Sequence, residues 1–194
     1  MLDTYLESTM FRTKEELLNT PRMEFDTLNE GNLCVGLQDL IDMCVTTESI
    51  VVEIGSYAGV SSELFAKHCK RLYCIDPWDL FTDEPGFVPN LIQAETRFNE
   101  MAMNYPNIIK IKDFSVHAAL TYKFKEKPDL VYIDGKHDRY SVRCDIGIWF
   151  NIVKRGGWIT GHDINIHGVM ESVELMLGSD YHIFKDNSWA WKKI

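Results

Sequence analysis

The sequence predicts an α/β fold, a doubly wound and mostly parallel sheet with helices on both faces, and three observations carry that expectation. From residue 50 onward, short β-branched or aromatic runs alternate with helical stretches, the rhythm of consecutive βαβ units. Glycine or aspartate closes these runs, as in Ile54-Gly55, Ile75-Asp76 and Ile133-Asp134, and such residues punctuate the turn from strand to helix. The chain has 194 residues, 45% hydrophobic and 25% charged. A chain of that size buries about 70% of its unfolded surface around a single core.

Residues 1–30 are polar and read as helical stretches broken at Pro21, part of an N-terminal appendage that spans residues 1–48 and covers a substrate or forms a homodimer contact. Within it, Leu33, Leu37, Leu40, Ile41 and Cys44 recur at helical spacing and predict an amphipathic helix over 33–45. The domain proper is expected over 49–194. Its strands are predicted at 50–54, 72–75, 108–111, 130–133 and 158–160, with helices at about 61–70, 90–104, 115–125, 139–153 and 168–177. Two strands near 180–185 and 188–193 close the chain. Only residues 186–187 separate them, too few for a parallel crossover, so the last strand should run antiparallel to its neighbour.

Composition removes several function classes. The net charge is −9, and no run of Lys and Arg offsets it, which argues against nucleic-acid binding. No segment approaches the roughly 20 apolar residues of a membrane span, and the N-terminus lacks a signal-peptide apolar core. The five cysteines fit no zinc spacing. They read as reduced structural thiols, and the protein as cytoplasmic.

The segment Glu53-Ile-Gly55-Ser56-Tyr57-Ala-Gly59 lies where the first strand gives way to a helix. Gly55 allows a sharp turn, and Gly59 allows the backbone to come close to a ligand. Asp76 ends the next strand, where a carboxylate can accept hydrogen bonds from both hydroxyls of a ribose. The glycines read G-x-x-x-G, with Tyr57 at the middle position of the dinucleotide fingerprint G-x-G-x-x-G. That spacing points away from a pyrophosphate. After it, the long loop of residues 77–89 carries Trp78, Phe81 and Phe87 and has the length of a lid. Trp78 can cover the ligand there, or pin onto the neighbouring helix.

On these motifs and the strand order, residues 50–163 resemble class I S-adenosylmethionine (SAM)-dependent methyltransferases with a Rossmann-like fold. The likeness is to small-molecule O-methyltransferases related to macrocin and catechol O-methyltransferases. The resemblance implies that Glu53, Gly55, Ser56, Tyr57 and Gly59 line SAM, that Asp76 holds its ribose, and that Phe114 and Ser115 contact adenine. Phe114 as plain core is the alternative.

The fourth strand opens into Asp134-Gly-Lys-His137-Asp138 and the fifth into Gly161-His162-Asp163. Acids and histidines at adjacent strand ends suit deprotonation of a hydroxyl, for which a positioned base contributes about 10²–10⁴ in rate. Two carboxylates there can also converge on a cation acting as Lewis acid and template. The resemblance implies His137 as general base and Asp134, His162 and Asp163 around a divalent cation, Mg²⁺ or Mn²⁺. A histidine in that set also invites other transition ions. Asp134 can instead orient the SAM ammonium, while Asp163 and His137 can serve as caps of their helices. The reading is methyl transfer from SAM to a hydroxylated small molecule, a sugar or polyketide-like compound. A metal-independent methyltransferase, a non-catalytic SAM-binding module and a nicotinamide oxidoreductase stay open at this point.

Overall fold

The computed structural model describes residues 34–78 and 88–194, together with Glu16. The expectations for residues 1–30, and for the lid over most of 77–89, lie outside the described residues. Seven strands form one sheet in the order β3-β2-β1-β4-β5-β7-β6. They are β1 (Ile50–Ile54), β2 (Arg71–Asp76), β3 (Ile108–Lys112), β4 (Leu130–Ile133), β5 (Trp158–Gly161), β6 (His182–Ile183) and β7 (Trp189–Lys192). The first five run parallel; β7 pairs antiparallel with both β5 and β6, as the short final connection requires.

The period-2 alternation of the strands sorts their side chains into two cores. Val51, Leu72, Cys74, Leu130 and Tyr132 face helices α1 (Val35–Cys44), α2 (Val60–Ala66) and α3 (Val88–Ala102). Val52, Tyr73, Ile75, Val131 and Ile133 face α4 (Ser115–Thr121), α5 (Arg139–Ile152) and α6 (His167–Leu177). Parallel strands covered on both faces read as continuous apolar runs, which is what made them legible. Trp189 and Trp191 share the second face, and Trp149 is fully buried there.

Three element boundaries differ from the sequence expectation. The helix expected over 33–45 forms as α1, and Leu37, Leu40, Ile41 and Cys44, with Cys34 at its N-cap, pack into the first core. Helix α2 stops at Ala66 and not near residue 70, since Asn107 Nδ2 donates to the carbonyls of Ala66 and Cys69 at 2.8 and 2.9 Å. Helix α4 stops at Thr121 and not near 125, because Tyr122 is extended and Tyr122 and Phe124 turn back onto Tyr73. The sixth strand shrinks to His182–Ile183, an exposed edge pair.

None of the five cysteines, all among the described residues, forms a disulfide, and four of them are buried. Burial pushes the Cys44 and Cys69 thiols up to about 12, so they behave as small apolar groups. No helix among the described residues is long and apolar enough to cross a membrane.

Candidate active site

Strand order reverses between β1 and β4, so the loops after those strands diverge and leave a crevice at the carboxyl edge of the sheet. Two loops shape one side of it. Gly55, at φ +84°, lies so close to the end of β4 that a Cβ would run into the Asp134 carbonyl oxygen and sit 2.8 Å from Gly135 Cα. Only glycine allows this approach, and it fuses the loop after β1 to the loop after β4. Gly59, also at positive φ, is crowded from another direction: a Cβ would meet Met101 Cε at 2.5 Å and Phe98 Cδ2 at 3.1 Å. Its small size serves the seat of α3.

Glu53 lies beneath this loop with no exposed surface. Ser56 Oγ and Ser61 Oγ donate to its carboxylate at 2.8 and 2.5 Å, and Ser62 Oγ donates as well. Burial raises its carboxyl above the ordinary value, and the three hydroxyls oppose that rise. Glu53 holds the turn and the start of α2 together from inside. Asp76 does the same between two loops. Its Oδ2 accepts from the Tyr57 N–H at 3.0 Å and its Oδ1 from the Trp78 N–H at 2.7 Å. Burial raises the Asp76 carboxyl and these two bonds lower it. Both aromatic residues have positive φ, 45° at Tyr57 and 39° at Trp78, a costly conformation for bulky side chains. The Trp78 indole donates back to the Tyr57 carbonyl at 2.8 Å, packs on Phe98 and lies 4.8 Å from it, ring centroid to centroid. Each Asp76 oxygen keeps a second lone pair for a ligand hydroxyl.

Phe114 is 58% exposed, so it is not core. The Ser115 hydroxyl turns the other way. It accepts from Trp149 Nε1 at 2.9 Å and hydrogen-bonds Asp145 on α5. These contacts reveal Asp145, a buried acid that spacing did not disclose.

Across the crevice stand the four residues from β4 and β5. His137 Nε2 lies 2.9 Å from Asp163 Oδ2, and His162 Nδ1 lies 3.1 Å from Asp163 Oδ1 and 3.7 Å from Asp134 Oδ1. Burial alone would raise the Asp163 carboxyl. Hydrogen bonds from His137 and His162, with the positive charge each carries when protonated, instead hold it well below the usual carboxylate range. Asp163 has φ +59° and gives its carbonyl, not its side chain, to the Ile166 N–H, so it does not cap α6. Asp138 caps α5 by accepting from the N–H groups of Tyr140 and Ser141, which removes that role from His137. One donor atom each from Asp134, His162 and Asp163 lie within 4.8 Å of one another. One imidazole nitrogen and two carboxylates are a donor set that fits a divalent cation.

Residues 52–164, which include all of these loops, match the methyltransferase-domain family Methyltransf_24. The chain belongs to this methyltransferase family. An uncharacterized protein of Acanthamoeba polyphaga mimivirus is 28% identical over 132 residues, covering 66% of the chain and 57% of the viral protein. The methyltransferase chain thus spans little more than half the length of that curated relative. Among solved structures, an rRNA methylase from Streptococcus thermophilus superposes with a TM-score of 0.56 at 18% identity, over 81% of this chain and 95% of the other. The N-methyltransferase NodS from Bradyrhizobium japonicum WM9, in complex with S-adenosyl-L-homocysteine, superposes at 0.51 and 18% identity, over 80% and 81%. At these identities the likeness is one of fold.

In the methyltransferase, then, the sequence-predicted residues fall into two groups. Gly55, Ser56, Tyr57, Asp76 and Trp78 gather around the β1 and β2 ends, while Asp134, His137, His162 and Asp163 gather at the β4 and β5 ends. The contact of Gly55 with Asp134 joins them. His167 and His182 stand apart, exposed, with His167 paired to Glu171.

Proposed function

We propose that this methyltransferase transfers the methyl group of SAM to a hydroxyl of a small molecule, a sugar or polyketide-like compound. The observation that carries the reading is the His137–Asp163 pair, 2.9 Å apart, formed between the loops after β4 and β5. A hydroxyl attacks a methyl sulfonium well only once its proton leaves, and a histidine oriented by a carboxylate is suited to take it. With Nε2–H given to Asp163, the basic lone pair of His137 lies on Nδ1. The side chain is 44% exposed, so an acceptor can reach it. Tyr57, Asp76 and Trp78 would hold SAM through the ribose hydroxyls and the adenosine face. Support comes from the family match and from S-adenosyl-L-homocysteine in the NodS structure of the same fold. Asp134, His162 and Asp163 would hold a divalent cation, which when bound lowers the pKa of a coordinated hydroxyl and orients it.

Calorimetric titration with SAM, followed by a coupled assay for S-adenosyl-L-homocysteine over a panel of hydroxylated acceptors, tests this reading. His137→Ala should lower turnover about 10²–10⁴-fold and leave SAM affinity unchanged. Absence of SAM binding at millimolar ligand, or an undiminished rate in His137→Ala, would overturn it.

A further inference from the structure

His162 is 6% exposed and its two ring nitrogens face opposite chemistry. Nε2 points at the main-chain carbonyl of Asp186, 2.5 Å away. A carbonyl can only accept, so Nε2 carries a proton. Nδ1 is left to face carboxylate oxygens of Asp163 and Asp134. A proton on Nδ1 satisfies these oxygens, and a divalent cation can take that proton's place, meeting the ring's lone pair there.

The carbonyl is held in place by the turn between β6 and β7. Asp186 accepts the Ser188 N–H at 2.9 Å and the Ser188 hydroxyl at 3.0 Å. The Phe184 N–H donates to the Ser188 carbonyl at 2.8 Å, and Asn187 sits at φ +66°. From β7, Trp189 Nε1 donates to the carbonyl of His162 itself at 3.2 Å, while the Ile164 N–H donates to the Asn187 carbonyl at 3.1 Å. Residue 36 of α1 has no room for a Cβ against Asp186. Main chain and ring of His162 are therefore both tied to the same hairpin.

We propose that the β6–β7 turn, through the Asp186 carbonyl, fixes His162 with its proton on Nε2, and that the Nδ1 donor so presented makes the Asp134–His162–Asp163 site select a first-row transition ion over Mg²⁺. The inference rests on the divalent-cation reading above. Metal-bound histidines generally give their second N–H to a carbonyl or carboxylate, which fixes tautomer and ring orientation. Mg²⁺ favours an all-oxygen octahedron, whereas an imidazole nitrogen is welcome to transition ions. Asp186 is in this sense a positioning residue, acting only through the ring it orients.

Mn²⁺ is the probe, because its free ion is counted by electron paramagnetic resonance and its bound ion reports nitrogen ligands by spin-echo modulation. The full chain should bind Mn²⁺ at least about tenfold more tightly than Mg²⁺. Bound Mn²⁺ should show a ¹⁴N coupling that changes to ¹⁵N on labelling the histidines, persists in His137→Ala and vanishes in His162→Asp. Asp186→Ala should weaken Mn²⁺ binding about 10–100-fold, and Asp186→Asn, which keeps an acceptor for Ser188, should restore most of it. The labelled wild-type spectrum decides the matter even where a variant fails to fold. Bound Mn²⁺ without nitrogen coupling, or equal affinity for Mg²⁺, would overturn the inference and leave the cation site standing. Binding of neither ion would remove the cation site itself.

Discussion

Replacing Asp145 by asparagine removes a buried negative charge and keeps an oxygen that can accept from the Ser115 hydroxyl. Asp145 is 6% exposed. Burial, opposed by the Ser115 hydrogen bond and reinforced by the charge of Asp138, raises its carboxyl from 3.8 to about 6. That interval corresponds to about 3 kcal/mol between the two protonation states. Since the folded-state value lies above the unfolded one, protonation favours the fold. The contribution is full below about pH 3.8 and is lost as pH rises through about 6. Asparagine has no proton to lose, so Asp145→Asn and the wild type should melt together near pH 4 and separate by pH 7. For a chain of this size, about 3 kcal/mol moves Tm by roughly 6–12 °C, with the variant the more stable. Paired calorimetric scans at pH 4, 5, 6 and 7 read the difference, in which the other titrating groups cancel. A constant offset across that range would refute the assignment of a buried, charged Asp145.

Glu53→Ala should cost about 3–5 kcal/mol, because it leaves the hydroxyls of Ser56, Ser61 and Ser62 in the interior without their acceptor. An unchanged urea midpoint would count against that cage. Gly55→Ala should be among the most damaging single changes, about 3 kcal/mol or more, since it combines a positive φ with a collision against the Asp134 carbonyl. Limited proteolysis at equal protein concentration should show faster cleavage than wild type. Asp76→Asn turns an acceptor into a donor facing the N–H of Tyr57 or Trp78. Losing one such charged hydrogen bond, about 1.5–3 kcal/mol, should weaken SAM binding tenfold to hundredfold by calorimetry, and equal affinity would show the loops are held by other means.

The parts of this fold legible in the sequence are those set by local pattern. Ile50–Ile54 and Leu130–Ile133 announce themselves because strands buried on both faces need consecutive apolar side chains. The acids and glycines at their ends mark the crevice for the same reason. What stayed hidden depends on partners distant along the chain. Asn107 ends α2 from the far side of α3, and Ser61 and Ser62 reach Glu53 only because α2 folds back over β1. Asp145 meets Ser115 across two helices, and nothing in the spacing of thirty residues signals it. Gly59 shows the opposite case: its position in the motif suggested a ligand, while the crowding comes from Phe98 and Met101. His162 was legible as a donor, but the direction of its ring is decided by a carbonyl, an atom that every residue carries.

That carbonyl also gives the methyltransferase a direction in time. A polypeptide emerging from the ribosome presents Asp134, His137, His162 and Asp163 well before residues 186–189, the turn that orients the His162 ring and binds its main chain. Domains generally fold as units, so the sheet of β1 through β5 awaits the strands that complete it. The edge that holds Asp134, His162 and Asp163 is finished only when β7 pairs antiparallel beside β5. In the function proposed above, the methyl-donor side is thus built from earlier parts of the chain, and the acceptor side is completed by one late hairpin.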